Sequence, residues 1–357
     1  MVNSTPNPIM DYYIAYIDIL GYKAFFDEQP EKVPDLLSSI HDVIQRTKNH
    51  IGIANGSPIM NGIGNIDIHT KIFSDNILLC MEVSSGQLEQ IRLLTFMQIV
   101  ADIQRGFVND YGLFVRGGLL KGKLSFNDDY VFGKGLIDVV SIEEKVALYP
   151  RIVVSADLIA FLQGNPFFTQ EDFARAVELG HRLENKETIT PEEQAFCVQM
   201  YNKAFVLQAL ERAKASLTLQ WMDGNWILCY LNKANATTIF GEAGKDSLLQ
   251  MIQAVSPSDY QLVNQPPQDF DANLLRHKER VEEKLKKYGK NADIQVGDVK
   301  TAELREKVLR KYIWVMAYHN LVCEIYQKQE YKVFTSCNCD TRFLKMTIEV
   351  QSNEAGV

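Results

Sequence analysis

Hydrophobic β-forming residues fill the segment Tyr13–Ile17, and the pattern ends at the carboxylate of Asp18, shortly before Gly21. The run is too short for a helix, so it predicts a buried strand with Asp18 at its end. A carboxylate in such a place is costly unless a cation or a metal ion meets it. The alternative interpretation is that Asp18 caps the helix that follows the strand.

Two further charged residues, Asp75 and Arg116, lie on or next to predicted apolar strands. The pattern over Ile66–Met81 predicts two strands joined by a tight turn at Ser74–Asn76, which places the carboxylate of Asp75 on the turn. The stretch 113–124 predicts a strand broken by small residues. Arg116 is the fixed cation inside that apolar strand.

The rest of the chain alternates helical and extended patterns. Helices are predicted at 32–48, 88–108, 136–147, 156–162, 171–214 with a break near 188–191, 274–288 and 301–329, and strands at 152–155 and in a hairpin near 216–231. This alternation predicts an α/β or α+β fold, a sheet with packed helices, and we expect the α+β class. We expect a catalytic domain over residues 1–165 and a mainly helical C-terminal region over 166–357, which includes the hairpin. Heptad-like positions in the last helix fit a helical hairpin, a dimer face or a core face.

Composition excludes several classes of protein. The 357 residues are 46% hydrophobic, enough for a sizeable core, and their net charge is −8. Such a charge lacks the positive footprint expected for binding nucleic acid or an anionic membrane. No apolar run approaches the roughly 20 residues of a spanning helix, and the N-terminus lacks the features of a signal peptide, so we expect a cytoplasmic protein. The six cysteines show no paired metal spacing, which fits reduced thiols.

Four stretches, taken in order, resemble the core motifs of class III nucleotidyl cyclases. They are YIDILGYKAFF, KIFSDNILL, VRGGLLKG and VFGKGLIDVV, the last followed by PRIVVS. The resemblance covers roughly residues 12–165 and implies the ferredoxin-like cyclase sheet for that part. It also implies the reaction, in which the ribose 3′ hydroxyl of a nucleoside triphosphate attacks the α-phosphorus. Pyrophosphate leaves, and a 3′,5′-cyclic monophosphate remains.

The resemblance assigns roles to particular residues. Asp18 and Asp75 fall on the aspartates that hold two divalent cations, Mn²⁺ or Mg²⁺, with the Ile19 carbonyl as an additional ligand. Arg116 falls on the arginine that grips the β- and γ-phosphates, a task that suits a planar and permanently charged donor. Gly21 and Tyr22, in the turn that follows, join the expected nucleotide-binding residues.

Other positions depart from the common pattern of the family. Lys71 stands where adenylyl-type enzymes keep their base-reading lysine, but Tyr130 stands in the place of the partner aspartate. Lysine offers donors only, which suits the O2 or O4 of a pyrimidine, and tyrosine narrows the pocket and can stack. Ile137 and Ser141 replace the asparagine and arginine that orient ribose and stabilise the transition state. Either other residues do that work or the protein is inactive.

The same segment carries Glu143 and Arg151 as further polar groups. With these departures, the RGG sequence and the long helical C-terminal half, the chain is similar to the bacterial pyrimidine cyclases of anti-phage (Pycsar) signalling. That resemblance implies cyclic UMP or cyclic CMP as the product. We favour UTP as the substrate, with CTP as the second choice, because uracil offers lysine two carbonyls and cytosine one.

Partners also follow from the resemblance. Class III sites lie between two catalytic domains, so a single cyclase-like copy implies a homodimer. The chain has no recognisable effector segment, so the cyclic product would act on a separate effector protein. Two alternatives remain open: an adenylyl-type cyclase that relies on Lys71, and an inactive nucleotide-binding protein on the same fold.

Overall fold

The computed structural model of the chain describes residues 8–28, 30–35, 38, 40–42, 45, 66–84, 89–127, 129–164, 169–232, 270–289 and 299–334. The strands in this part are β1 (Met10–Ile19), β2 (His69–Phe73), β3 (Asn76–Glu82), β4 (Val115–Phe126), β5 (Val131–Phe132), β6 (Ile152–Val154), β7 (Thr218–Gln220) and β8 (Trp226–Leu228). The helices are α1 (Tyr22–Glu28), α2 (Glu89–Tyr111), α3 (Lys134–Lys145), α4 (Ala156–Gln163), α5 (Gln170–Glu184), α6 (Pro191–Leu217), α7 (Phe270–Tyr288) and α8 (Val299–Ile325).

The strands form one mixed sheet in the order β2–β3–β1–β4–β6–β8–β7, and β5 pairs with the end of β4. β1 is antiparallel to both of its neighbours, β3 and β4, whereas β4 and β6 are parallel. The β7–β8 hairpin, which follows α6, continues the same sheet through β6. The α+β class predicted from the sequence is confirmed, while the division into two domains at residue 165 stays a prediction.

Alternate residues of β1 belong to two separate hydrophobic layers. Tyr12 and Ile14 belong to the smaller layer, which α3 covers. Tyr13 and Ile17 belong to the larger layer, together with buried residues of α2, α6, α7 and α8. Asp18 continues the series of Tyr12 and Ile14, so its side chain lies on the α3 side of the sheet.

Glycines of β4 allow α3 to lie close to the sheet. A Cβ atom at Gly118 would lie 2.9 Å from the Cβ of Ile142, and one at Gly122 would lie 2.6 Å from the Cα of Gly135. Larger residues there would push the helix away. The prediction of a strand broken by small residues is wrong, because β4 runs without interruption over Val115–Phe126. Its glycines serve the contact with the helix instead.

The last helix, α8, packs on the residue that precedes β4 and on the segment before β6. The Tyr312 ring meets Phe114 edge to face with ring centroids 5.3 Å apart, and Trp314 stacks on Tyr149 at 5.9 Å. Residues 314–319 are buried on every side of the helix. Of the three interpretations of this helix, the core face describes its middle part, and the pairing of α7 with α8 gives it the form of a helical hairpin as well.

A chain of buried hydrogen bonds links α7 and α8 to the segment after β8. His319 Nε2 lies 2.9 Å from the Tyr331 carbonyl oxygen, which can only accept, so this nitrogen carries the proton. His319 Nδ1 then accepts from His277 Nδ1 at 3.1 Å, and His277 Nε2 accepts from the Tyr230 hydroxyl at 2.8 Å. Both imidazoles are neutral in this arrangement. Burial lowers the pKa of His277 and brings the pKa of His319 to about 4.

Most of the predicted elements are confirmed to within a few residues, including the hairpin at Asp75, the break between α5 and α6, and the β7–β8 hairpin. Of the helix predicted at 32–48, the structure describes residues 32–35, 38, 40–42 and 45, and those from 33 onward are helical. Within the described ranges, no helix is both long enough and apolar enough to cross a membrane.

Candidate active site

Asp18 and Asp75 meet at one end of the central strands. Asp18 is the register partner of Asn76 across β1 and β3, and the N–H of Ile19 donates to the Asp75 carbonyl oxygen at 2.9 Å. The side-chain amide of Asn76 also donates to the Asp75 carboxylate at 3.2 Å. One carboxylate thus lies at the end of a strand and the other on the adjacent turn, which is the arrangement that the sequence predicts.

Arg116 lies opposite Asp18 on β4 and binds it directly. The two residues are register partners, and Arg116 Nε donates to Asp18 Oδ2 at 2.9 Å. The side chains are only 23% and 16% exposed, respectively, so solvent screens this pair less than it screens a surface pair. Asp18 therefore has the cation that its position demands. It is not the cap of α1, which begins later, at Tyr22.

A second carboxylate reaches the same guanidinium from α3. Arg116 Nη2 lies 2.6 Å from Glu143 Oε1, and the Glu143 side chain is 7% exposed. The separation is that of an ion pair, but the angles are not those of a hydrogen bond: among the described residues, none donates a hydrogen bond to Oε1. Burial raises the pKa of the Glu143 carboxyl, and the Arg116 charge opposes that rise. Burial also raises the pKa of the Tyr16 hydroxyl, and the charges of Glu143 and Asp18 add to the effect.

The C-terminal half contributes a further charge to this cluster. Lys311 is half-buried in α8 and directly precedes Tyr312. The Tyr312 ring packs on Phe114, which lies two residues before Arg116 in the chain. Burial is the main cause that lowers the pKa of Lys311, the like charge of Arg116 adds a smaller lowering, and the charges of Asp18 and Glu143 oppose both effects. No local sequence pattern connects the last helix with the Asp18 strand, so the position of Lys311 could not be predicted from the sequence.

Lys71 and Tyr130 both approach the C-terminal end of β4. Lys71 Nζ lies 5.6 Å from the centre of the Phe126 ring, and the Tyr130 hydroxyl lies 3.5 Å from Ser125 Oγ. Lys71 is aligned with Leu78 of β3, which is in turn aligned with Tyr16, two residues from Asp18 in β1. The two predicted base-reading residues thus reach adjacent residues of β4, and their role stays a prediction.

The turn after β1 separates Gly21 and Tyr22 from the carboxylates. Gly21 has a φ of 83°, in the region that favours glycine, and a Cβ there would meet open space. The half-buried Tyr22 packs against the larger hydrophobic layer and lies 6.2 Å from the Phe26 ring, centroid to centroid. Ile19 is buried in that layer as well. Tyr22 therefore anchors α1 on the side opposite to Asp18, and its part in nucleotide binding stays a prediction.

The positions that depart from the family pattern lie on or after α3. Ile137 is 70% exposed near the start of the helix, and Ser141 is half-buried one turn later. Arg151 is buried outside the cluster, where it binds Asp223 at 2.5 Å and donates to the Val146 carbonyl oxygen at 3.1 Å. Arg151 therefore holds the β7–β8 turn rather than the carboxylate site.

Asp18 and Asp75 have the chemistry to share a hard divalent cation. In the described part of the chain, no group of three or more histidine, cysteine, aspartate or glutamate side chains could hold a metal by itself. Mg²⁺ is usually bound through one or two carboxylates together with phosphate oxygens of the substrate, and two adjacent aspartates match that mode. The donor set therefore fits cations that arrive with a triphosphate, although Arg116 already binds one oxygen of Asp18.

The known proteins that match this chain do so through their solved structures. No family model matches the sequence, and no curated protein matches it. The fold is similar to the adenylyl cyclase CyaB from P. aeruginosa, with a TM-score of 0.32 and 12% identity over 44% of this chain and 83% of that one. It is also similar to a class III adenylyl cyclase-like ATP-binding protein from Pseudomonas aeruginosa, with a TM-score of 0.29 and 11% identity over 43% of this chain. The match spans 34% of that second protein.

Proposed function

We propose that the protein is a nucleotidyl cyclase that converts UTP, with CTP as the second choice, to the 3′,5′-cyclic monophosphate and pyrophosphate. The observation that carries this proposal is the convergence of Asp18, Asp75 and Arg116 at one end of β1. Two carboxylates for cations and one guanidinium for phosphate are the groups that such a reaction requires. The ordered sequence motifs support the same reaction.

Each residue has a task in the proposed reaction. Asp18 and Asp75 would hold two divalent cations, Mn²⁺ or Mg²⁺, with the Ile19 carbonyl as an additional ligand. When bound, these cations lower the pKa of the ribose 3′ hydroxyl and neutralise charge on the triphosphate. Arg116 binds the β- and γ-phosphates and stabilises the charge that develops on the leaving pyrophosphate.

The proposed choice of base rests on Lys71 and Tyr130. The Lys71 ammonium lies beside the Phe126 ring, where it can donate to a carbonyl of a base that stacks nearby. A pyrimidine carbonyl is such an acceptor, and uracil has two of them. The Tyr130 ring, held near Ser125, limits the size of the base.

The proposed function includes partners. A homodimer would complete the site, and the cyclic product would serve as a second messenger that acts on a separate effector protein in antiviral defence. These statements depend on the resemblance to Pycsar cyclases, and size-exclusion chromatography with light scattering tests the dimer.

The test is to incubate the purified protein with each of the four nucleoside triphosphates and Mn²⁺ and to resolve the cyclic products. We expect cyclic UMP as the main product and cyclic CMP as the next. Asp75→Ala should lower turnover at least about 100-fold, since a metal contributes several kcal/mol to the transition state. Asp67→Ala is the matched control, because Asp67 precedes the same hairpin and its side chain is 82% exposed. Full activity in the Asp75 variant contradicts the proposal.

Two other outcomes identify the alternatives. Cyclic AMP as the main product would favour an adenylyl-type cyclase, which the position of Lys71 supports. Thermal stabilisation by a nucleotide without release of pyrophosphate would favour an inactive nucleotide-binding protein. Ile137 supports that last alternative, because an exposed isoleucine cannot orient a ribose by hydrogen bonds.

A further inference from the structure

Arg116 is bound by two carboxylates through different nitrogen atoms. Nε donates to Asp18, and Nη2 faces Glu143. Because the two contacts use separate atoms of one planar group, the guanidinium can release one carboxylate while it keeps the other. Asp18, Glu143 and Arg116 together carry a charge of −1, so Arg116 by itself neutralises only one of the two carboxylates.

The two carboxylates differ in what else they can bind. Asp18 lies beside Asp75, so it can take a cation in place of Arg116. Glu143 is more deeply buried and stands on α3, whose distance from the sheet is fixed by the contact of Gly118 with Ile142. A buried carboxylate without a partner is unfavourable, so Glu143 retains Arg116 more strongly than Asp18 does.

We propose that Glu143 is a positioning residue that holds Arg116 when the guanidinium leaves Asp18 for the triphosphate. In the free chain Arg116 bridges the two carboxylates. When the nucleotide and its cation bind, Asp18 exchanges Arg116 for the cation, and Arg116 turns its remaining donors to the phosphates while Glu143 keeps it in place. The inference rests on the proposed function for the identity of the ligand, and it adds an exchange of ion pairs at Arg116.

The first experiment measures binding of Mn²⁺ to the intact chain by electron paramagnetic resonance, at about millimolar metal, where two carboxylates completed by water molecules hold the ion weakly without the triphosphate. Glu143→Gln leaves Arg116 with Asp18 as its charged partner, so Mn²⁺ should bind about tenfold more weakly, as expected when one charge of a partly buried ion pair is removed. Arg116→Ala frees Asp18 and should tighten binding. Glu144→Gln is the matched control, since Glu144 is exposed on the adjacent position of α3, and it should leave binding unchanged.

The double variant separates positioning from simple charge. If Glu143 acts through Arg116, then adding Glu143→Gln to Arg116→Ala should leave Mn²⁺ binding within about twofold of Arg116→Ala alone. An equal weakening in both backgrounds would mean that Glu143 acts only by its own charge, and it would overturn the proposal. No effect of Glu143→Gln, or no Mn²⁺ binding by any variant, would overturn it as well. Should Glu143→Gln fail to fold, Glu143→Asp keeps the charge with a shorter reach and should weaken binding less than tenfold.

The second experiment measures turnover of UTP. Glu143→Gln should raise KM about tenfold and change kcat less than about threefold, because Arg116 is misplaced before the reaction rather than removed from it. Absence of cyclic product from all four triphosphates would refute the proposed function but not the exchange of ion pairs, which the Mn²⁺ measurements decide separately. If cyclic product forms but Glu143→Gln weakens Mn²⁺ binding equally with and without Arg116→Ala, the positioning role of Glu143 is refuted and the proposed function is not.

Discussion

Replacement of His319 by glutamine should make the folded protein less sensitive to acid. His277 and His319 are buried and neutral, and they bind each other, the Tyr230 hydroxyl and the Tyr331 carbonyl oxygen. Burial brings the pKa of His319 to about 4, against an ordinary value of 6.5, and it lowers that of His277 too. The nearby charge of Lys278 also lowers the pKa of His319.

The sign of the effect follows from proton uptake. Below pH 6.5 the unfolded chain protonates both histidines and the folded chain does not, so the free energy of unfolding falls as the pH falls. Between pH 7.5 and 5.5 each buried neutral histidine lowers that free energy by about 1.4 kcal/mol, and the pair by about 3 kcal/mol. The loss from His319 continues until the pH passes about 4, where the folded form is protonated as well.

Urea denaturation at pH 7.5, 6.5 and 5.5 measures this loss. Glutamine has one acceptor and one donor for the neighbours of His319 and does not titrate, so His319→Gln should reduce the loss by about 1.4 kcal/mol. His181→Gln is the control, because the His181 side chain is 72% exposed, and the pH dependence should not change. If His319→Gln and the wild type lose the same free energy between pH 7.5 and 5.5, the reasoning about the histidine pair is refuted.

Two further substitutions test the packing around the candidate site. Lys311→Met keeps the apolar stem and removes the charge near Arg116, so KM for UTP should rise about threefold to tenfold. Lys307→Met, on the exposed face of α8, is the control and should leave KM unchanged. Equal KM values for both variants would exclude Lys311 from the site. Gly118→Val should lower the free energy of unfolding by about 1–3 kcal/mol in urea, because its Cβ would lie 2.9 Å from Ile142, while Gly180→Ala in open space should not lower it.

Local patterns were sufficient to predict the parts of the site that depend on neighbouring strands. Asp18 ends an apolar run, and Asp75 lies on a tight turn between two alternating segments. Because pairing of adjacent strands follows from strand ends and turns, the patterns placed both carboxylates at neighbouring strand ends, whereas the pairing of Arg116 with Asp18 depends on the position of β4 beside β1.

Contacts between distant elements were beyond such patterns. Glu143 was recognised only as a polar group, because its approach to Arg116 depends on how closely α3 packs on Gly118. Lys311 could not be predicted for the same reason: α8 lies far from β1 in the sequence, and no local pattern shows that the two elements come together. Likewise, no sequence pattern connects His277 with His319, although their Nδ1 atoms lie 3.1 Å apart.

The C-terminal half shares its packing with the site, and this has a consequence for the predicted division at residue 165. A fragment of residues 1–165 would lose the rings of α8 that cover Phe114 and Tyr149, and the Asp223 carboxylate that binds the buried Arg151. It would also expose the edge of β6 that pairs with β8. The fragment would leave two aromatic rings and one buried charge without partners and would expose apolar surface of the larger layer. The free-energy cost of these losses together exceeds the stability of about 5–15 kcal/mol that typical domains possess.

We therefore expect the fragment of residues 1–165 to be insoluble, or unfolded by circular dichroism, and the full chain to unfold in one transition. A soluble fragment that unfolds cooperatively would instead support an independent N-terminal domain.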